Sequence, residues 1–378
     1  MSDYWKARGK TYQTSNRYYQ KKSTPHGVCV SSIPPPPLGK LIQSLNKDDL
    51  DKDAKDFTDK ASIQDCSLVT SYNWLDKSDP TILIPGTPPR WTPLPGETKL
   101  AQDSNDHFRD KNASKYPSHP MESTVLAALS HDPNLPAELD IVACYSSLGN
   151  LVRFVLGKDK SFRILVQAVG STVFFVRREN SPTEKLEDIK GHGHTFPEAY
   201  TTWDAEMKGS AHSHRILKYN FGGLRMLVRA EADAYVAEKD DGAPAQPLGR
   251  STSAESKNPS ALRSTTTADV ADLSQLISTL TSTNHPSPPT SKPATKITVT
   301  TTTNPPTRQV PQPQILEIKT RVIWKKDKED TVYEEMPKLW LAQISRLVVA
   351  YHDKGVFGTD SAEIEVQDVR PRVERWER

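Results

Sequence analysis

Apolar and polar residues alternate in two separated stretches, 228–235 and 314–321, and alternation of that period belongs to half-buried β-strands. On such strands Glu231 and Asp233 share one face of the first, while Glu317 and Lys319 share one face of the second. Further strands are predicted at 67–74, 81–84, 141–145, 346–351 and 363–369. A hairpin is expected where 162–169 and 172–178 flank Gly170-Ser171, with both strands apolar enough to be buried on two faces. A second hairpin is expected where Phe221-Gly222-Gly223 separates 215–220 from 224–236. Helical patterns occupy 121–129, 335–343 and 196–207, the last with Pro197 in its first turn. The mixture predicts an α+β fold, a mixed β-sheet core flanked by helices.

Two parts of the chain lack this patterning. Residues 1–65 are rich in Lys, Asp, Ser and Pro and include Pro34-Pro35-Pro36-Pro37, and 239–312 is a Ser/Thr/Pro-rich tract. Both read as disordered, an N-terminal arm and an insertion, because they carry too few apolar side chains to offset their ordering entropy. The domain is then expected in two parts, 66–238 and 313–378, with the insertion tolerated because a longer surface loop adds only about 0.6 kcal/mol per doubling. The 30 prolines and mean hydropathy of -0.63 agree with that division.

A net charge of +2 neither supports nor excludes a nucleic-acid partner. Cys29, Cys66 and Cys144 are an odd set without C-x-x-C, which fits a reducing compartment. With no apolar run of membrane-spanning length and no secretory segment, a soluble intracellular protein, nuclear or cytoplasmic, is expected. Lys21-Lys22 is too short to decide for the nucleus. There is no G-x-S-x-G, no P-loop and no G-x-G-x-x-G after a strand. Asp48-Asp49-Leu50-Asp51 has the wrong spacing for a prenyl-diphosphate synthase.

The candidate chemistry lies on the two alternating strands. If they pair, Glu231, Asp233, Glu317 and Lys319 converge. Carboxylates are hard ligands suited to Mg²⁺ or Mn²⁺, and a lysine beside them steadies a phosphate or orients a water. The competing reading is a solvated ladder of cross-strand charge pairs. His192 with His194, and His212 with His214, form two H-x-H pairs that on strands would suit Zn²⁺ or Fe. Without a third ligand signature they are read as polar loop residues flanking the helix.

The order of motifs resembles the DXO-type decapping nucleases, a branch of the PD-(D/E)XK nuclease fold. Glu231-Ala232-Asp233 resembles that family's third motif, Glu317-Ile318-Lys319 its fourth, Gln343 its helix glutamine, and the stretch 346–353 the strand that follows. Glu198 stands one residue late for the second-motif acid, and Tyr145 occupies the place of the family's arginine. The resemblance implies that Asp233, Glu317 and the Ile318 carbonyl hold one or two divalent ions, with Glu198 and Glu231 completing the shell. It assigns Lys319 to the attacking water and Gln343 to metal-bound water or phosphate. The implied activity is metal-dependent decapping, pyrophosphohydrolysis or exonucleolysis at RNA 5′ ends in RNA quality control, with a 5′-to-3′ exoribonuclease as possible partner. The rival reading is a degenerate nuclease fold that binds RNA or that exonuclease.

Overall fold

The computed structural model describes residues 33–46, 48–50, 54–104, 106–158, 161–237, 296–301 and 309–378. Strands β1 (Gln64–Leu75), β2 (Thr81–Ile84), β3 (Arg90–Trp91) and β4 (Thr98–Lys99) lead into helices α1 (Lys111–Lys115) and α2 (Glu122–His131). Then come β5 (Ile141–Cys144), α3 (Tyr145–Val155), β6 (Ile164–Val169), β7 (Thr172–Arg177), α4 (Thr195–Tyr200) and β8 (Thr201–Thr202). Next are β9 (Ser210–Phe221), β10 (Leu224–Glu231), β11 (Ala234–Tyr235) and β12 (Thr298–Thr301). The chain ends with β13 (Ile315–Val322), α5 (Thr331–Leu341), β14 (Arg346–Asp353), β15 (Val356–Phe357), β16 (Gln367–Asp368) and α6 (Arg370–Glu377).

The fold is mixed α+β. One sheet has the order β12-β2-β1-β9-β10-β5-β7-β6, and the other β4-β15-β14-β13-β11-β3-β8 with β16 on β14. The β9–β10 hairpin turns on Gly222 and Gly223 at φ 62° and 80°, the left-handed pair that a two-residue turn matched to strand twist requires. In the first core Tyr72, Trp74 and Ile216 from β1 and β9 meet Leu126 and Ala127 of α2. In another, Met336 and Leu339 of α5 cover Ile315, Leu347 and Val349 of β13 and β14. Each such buried aliphatic side chain contributes about 1.5–3 kcal/mol. Among the described residues no helix is long and apolar enough to cross a membrane.

The link that matters for function is the step between the sheets. β10 ends in the first sheet at Glu231, and three residues later Ala234 pairs with Leu316 in the second. Ala232 and Asp233 therefore span the seam, and the E-x-D motif is broken across it rather than lying on one strand face as expected.

Several expectations are corrected. β6 is not buried on both faces: it is an edge strand, and its Val166 is 65% exposed. The 196–207 helix ends at Tyr200 because β-branched Thr201 and Thr202 pair with β3, after which Ala205–Met207 forms a single 3-10 turn. The 363–369 strand shrinks to β16, since Pro371 opens α6. His212 and His214 lie on β9, not in a loop.

Of the expected insertion, 239–295 and 302–308 lie outside the described residues, but 296–301 does not match a segment free of the core. Ile297 is buried in the first core and β12 pairs in parallel with β2 from Thr298↔Thr81 to Thr301↔Ile84. Of the N-terminal arm, 1–32 lies outside the described residues. At 33–46 the chain has no regular element, and the carbonyls of Ile33 and Pro36 accept hydrogen bonds from Asn180 and Arg163 beside the β6–β7 hairpin.

Candidate functional site

β13 supplies the centre of the site. Its Ile315 and Leu316 pair with β11, but β11 is short, and at Ile318 the ladder partner is missing. The side chain of Asp233 takes its place, accepting the Ile318 N–H at 2.9 Å, so a buried donor that would otherwise be orphaned is satisfied. The contact between Asp233 and Ile318 is thus made through the N–H, whereas sequence reasoning assigned the Ile318 carbonyl to a metal ion.

Glu317, one residue away, is 0% exposed. Its Oε1 receives Nζ of Lys319 at 2.7 Å and also Nζ of Lys338 from α5. Its Oε2 has no partner among the described residues. Burial and then the charge of Asp233 raise the Glu317 pKa, against the pull of the two lysines. For Lys338 burial works against the charge, but Asp233 and Glu317 outweigh it and hold the ammonium well above the usual lysine range. Lys319 is likewise raised, burial being outweighed by Glu317, and Glu335 approaches it at 3.5 Å. Tyr145, at the start of α3, presents its ring 5.3 Å from Lys338 Nζ.

Glu231 faces Lys111 of α1 at 3.2 Å and His212 at 3.9 Å. Burial opposes its charge, but Lys111 and the neighbouring histidines prevail, and its pKa falls well below the usual carboxylate value. His212 is pushed down to about 4 by burial and by Lys111, so it is neutral at pH 7. A cavity of about 320 Å³ is lined by Lys111, His194, Glu198, His212, Glu231 and Asp233, among others. Glu198, in the first turn of α4, thus faces the same space as two of the other acids.

Six of the seven sequence-assigned residues are gathered here, and Gln343 is not. It lies past the end of α5 at φ 51°, donates its amide to the Trp340 carbonyl at 2.7 Å, and lines a different cavity with Cys66, Leu68 and Glu377. The α5 residue that reaches the acids is Lys338. Its signal was a single lysine inside the otherwise apolar run Met336-Pro337-Lys338-Leu339-Trp340-Leu341. Lys111, one residue after the N-cap Asp110, carried no comparable signal. Among the described residues, no group of three or more His, Cys, Asp or Glu side chains is arranged to hold a metal ion.

A family model described as "Domain of unknown function (DUF8563)" matches residues 50–293. No curated protein matches the chain. Among solved structures it is similar to S. pombe Rai1 in complex with 3'-FADP, at 12% identity and TM-score 0.45, covering 85% of this chain and 81% of that one. It is similar to Scheffersomyces stipitis Rai1 in complex with (3'-NADP)+ and calcium ion, at 11% identity and TM-score 0.45, covering 90% and 78%. It is also similar to K. lactis Dxo1 in complex with manganese, at 10% identity and TM-score 0.38, covering 82% and 70%.

Proposed function

The chain belongs to the family described as a domain of unknown function (DUF8563), and we propose that it is a divalent-metal-dependent hydrolase of phosphate linkages at the 5′ end of RNA. The observation that carries this reading is Glu317, a wholly buried carboxylate with one oxygen held by two lysines and the other without a partner, beside the charge of Asp233. Two neighbouring carboxylates resist ionising together, and a cation relieves them.

The donor set fits one such ion. Mg²⁺ or Mn²⁺ is commonly bound by one or two carboxylates, with waters and substrate phosphates completing the shell, so a cage of three protein ligands is not needed. Asp233 and Glu317 would hold it, with Glu231, Glu198 and the Ile318 carbonyl reaching it directly or through water. When bound, the ion polarises a phosphate and acidifies a coordinated water. Lys338 fixes the Glu317 carboxylate from the helix side. Lys319, on the same strand as Glu317, supplies the positive charge that steadies a phosphate or an attacking water. Decapping, pyrophosphate removal or exonucleolysis within RNA quality control, alongside a 5′-to-3′ exoribonuclease, is the finer form of the proposal and rests on the motif resemblance.

A second reading has its own observation: Lys111 on Glu231, and Lys319 and Lys338 on Glu317, already neutralise much of the acidic charge. That arrangement suits a non-catalytic module that binds RNA. Purified full-length chain incubated with Mg²⁺ or Mn²⁺ and capped, triphosphorylated or monophosphorylated RNA separates the two. Turnover that disappears in Glu317→Gln supports the hydrolase, turnover unchanged in that variant rejects the site, and no turnover on any substrate favours the binding module.

A further inference from the structure

A second cavity, of about 170 Å³, also borders Glu231, and its walls include Lys111, Cys144, Tyr145, Arg177, His214 and Arg229. The topology builds it. β10 and β5 run in parallel with Arg229 opposite Cys144, and Cys144 is the residue from which the 11-residue helix α3 starts. An anion in this cavity would therefore face the positive end of a full helix. On the other flank, β9 and β10 set His214 opposite Glu231.

One side chain here lacks hydrogen-bond partners, and one buried charge lacks a carboxylate. His214 is 2% exposed, its ring packed 5.0 Å from that of Tyr72, yet neither ring nitrogen has a hydrogen-bond partner among the described residues. Arg229 is 5% exposed and hydrogen-bonds the Pro120 carbonyl at 3.0 Å and the Tyr72 side chain, but it makes no ion pair among the described residues. A buried imidazole without partners and a buried guanidinium without a carboxylate are both costly unless something satisfies them. The nearby acids are engaged elsewhere: Asp110 caps α1 through Asn112 and Ala113, Glu179 holds Arg177 and Glu231 holds Lys111.

We propose that this cavity is a phosphate subsite, taking a terminal phosphate group of the RNA 5′ end by contact with Arg229, the α3 N-terminus and an N–H of His214. The proposal rests on the hydrolase reading for the identity of the substrate, and it adds the group that is recognised and the residues that recognise it. Lys111 and Glu231 line both this cavity and the one holding Glu198 and Asp233, so a phosphate seated here sits one side chain away from the acids.

The test is binding without catalysis. In EDTA, fluorescence anisotropy of the full chain with matched 5′-triphosphate and 5′-hydroxyl RNAs is expected to show the former bound on the order of tenfold tighter, the size of one charge-assisted hydrogen-bonding contact. Inorganic pyrophosphate is expected to compete for that difference. His214→Phe, which preserves the ring packing against Tyr72, and Arg229→Gln are each expected to bring the two RNAs to near-equal affinity. If Arg229→Gln fails to fold, His214→Phe decides alone. Equal binding of both RNAs by the wild type, failure of pyrophosphate to compete, or discrimination surviving in folded His214→Phe overturns the subsite. Because no divalent ion is present, the outcome is independent of whether the acids hydrolyse anything.

Discussion

Asp233 and Ile318 are joined by a 2.9 Å bond in which the Asp233 carboxylate accepts the backbone N–H, so one side chain both closes a gap in the β13 ladder and stands beside Glu317. The two roles are separable. Asp233→Asn retains an acceptor for the N–H while losing the charge, and it is expected to melt close to wild type while losing metal-dependent turnover by at least about 100-fold, equivalent to roughly 3 kcal/mol of transition-state stabilisation. Asp233→Ala leaves the N–H orphaned and is expected to lose about 1–3 kcal/mol of stability as well. Thermal unfolding and single-turnover assays on the two variants check this; an active Asp233→Asn would remove Asp233 from the chemistry.

Lys338 favours the ionised form of the buried Glu317 carboxylate, against burial and the charge of Asp233. The Glu317 pKa is raised by burial and by Asp233, and Lys338 lowers it, so Lys338→Met is expected to push it higher. If the ionised carboxylate is the working form, the acid limb of the kcat/KM–pH profile moves to higher pH in that variant. Activity at neutral pH falls by about 10- to 100-fold, the usual cost of losing a partner that orients a ligand. The stability sign is the reverse of the usual salt-bridged acid. The folded state holds the Glu317 proton above the ordinary carboxylate range, so stability declines as pH rises through that window. Glu317→Gln is expected to flatten that decline, measured by urea unfolding across pH.

Much of this was legible in the sequence, and the parts that were not share a cause. The strands at 228–231 and 315–321, within the alternating stretches 228–235 and 314–321, the Gly222-Gly223 turn and the 346–351 strand follow from period and turn chemistry that neighbours do not override. Glu317 and Lys319 meet because both lie on one face of one strand. Asp233 could not be placed by the same rule, since the chain changes sheets at Ala232, and no local pattern encodes that step. Gln343 was misplaced because α5 stops at Leu341, leaving the glutamine in a left-handed turn. Lys111, Arg229 and His214 come to the site only through long-range pairing.

His212 gives a second pH signature of opposite direction. Its pKa falls from the usual 6.5 to about 4, so between those values the unfolded chain binds more protons than the folded one. Stability is then full above about pH 6.5 and is lost as pH falls toward 4. His212→Gln is expected to lose about 1–2 kcal/mol less than wild type between pH 7 and pH 5, by urea unfolding at the two pH values. Equal losses would show that His212 titrates normally in the folded protein.

The last prediction concerns the return of the chain from the Ser/Thr/Pro-rich tract. Ile297 is 4% exposed and belongs to the same core as Tyr72 and Trp74, and the strand after it adds an edge to the first sheet through β2. Ile297→Ala is therefore expected to destabilise the protein by about 2–5 kcal/mol, the usual cost of a buried isoleucine truncated to a methyl. Val299→Ala, half-buried at the sheet edge, costs less. Replacing 245–290 by a short Gly-Asn linker, which leaves β12 in place, is expected to change the unfolding free energy little, because a long loop adds only a slowly growing closure entropy. Chemical denaturation of the three variants distinguishes the cases. An Ile297→Ala protein as stable as wild type would return 296–301 to the tract and leave β2 as the sheet edge.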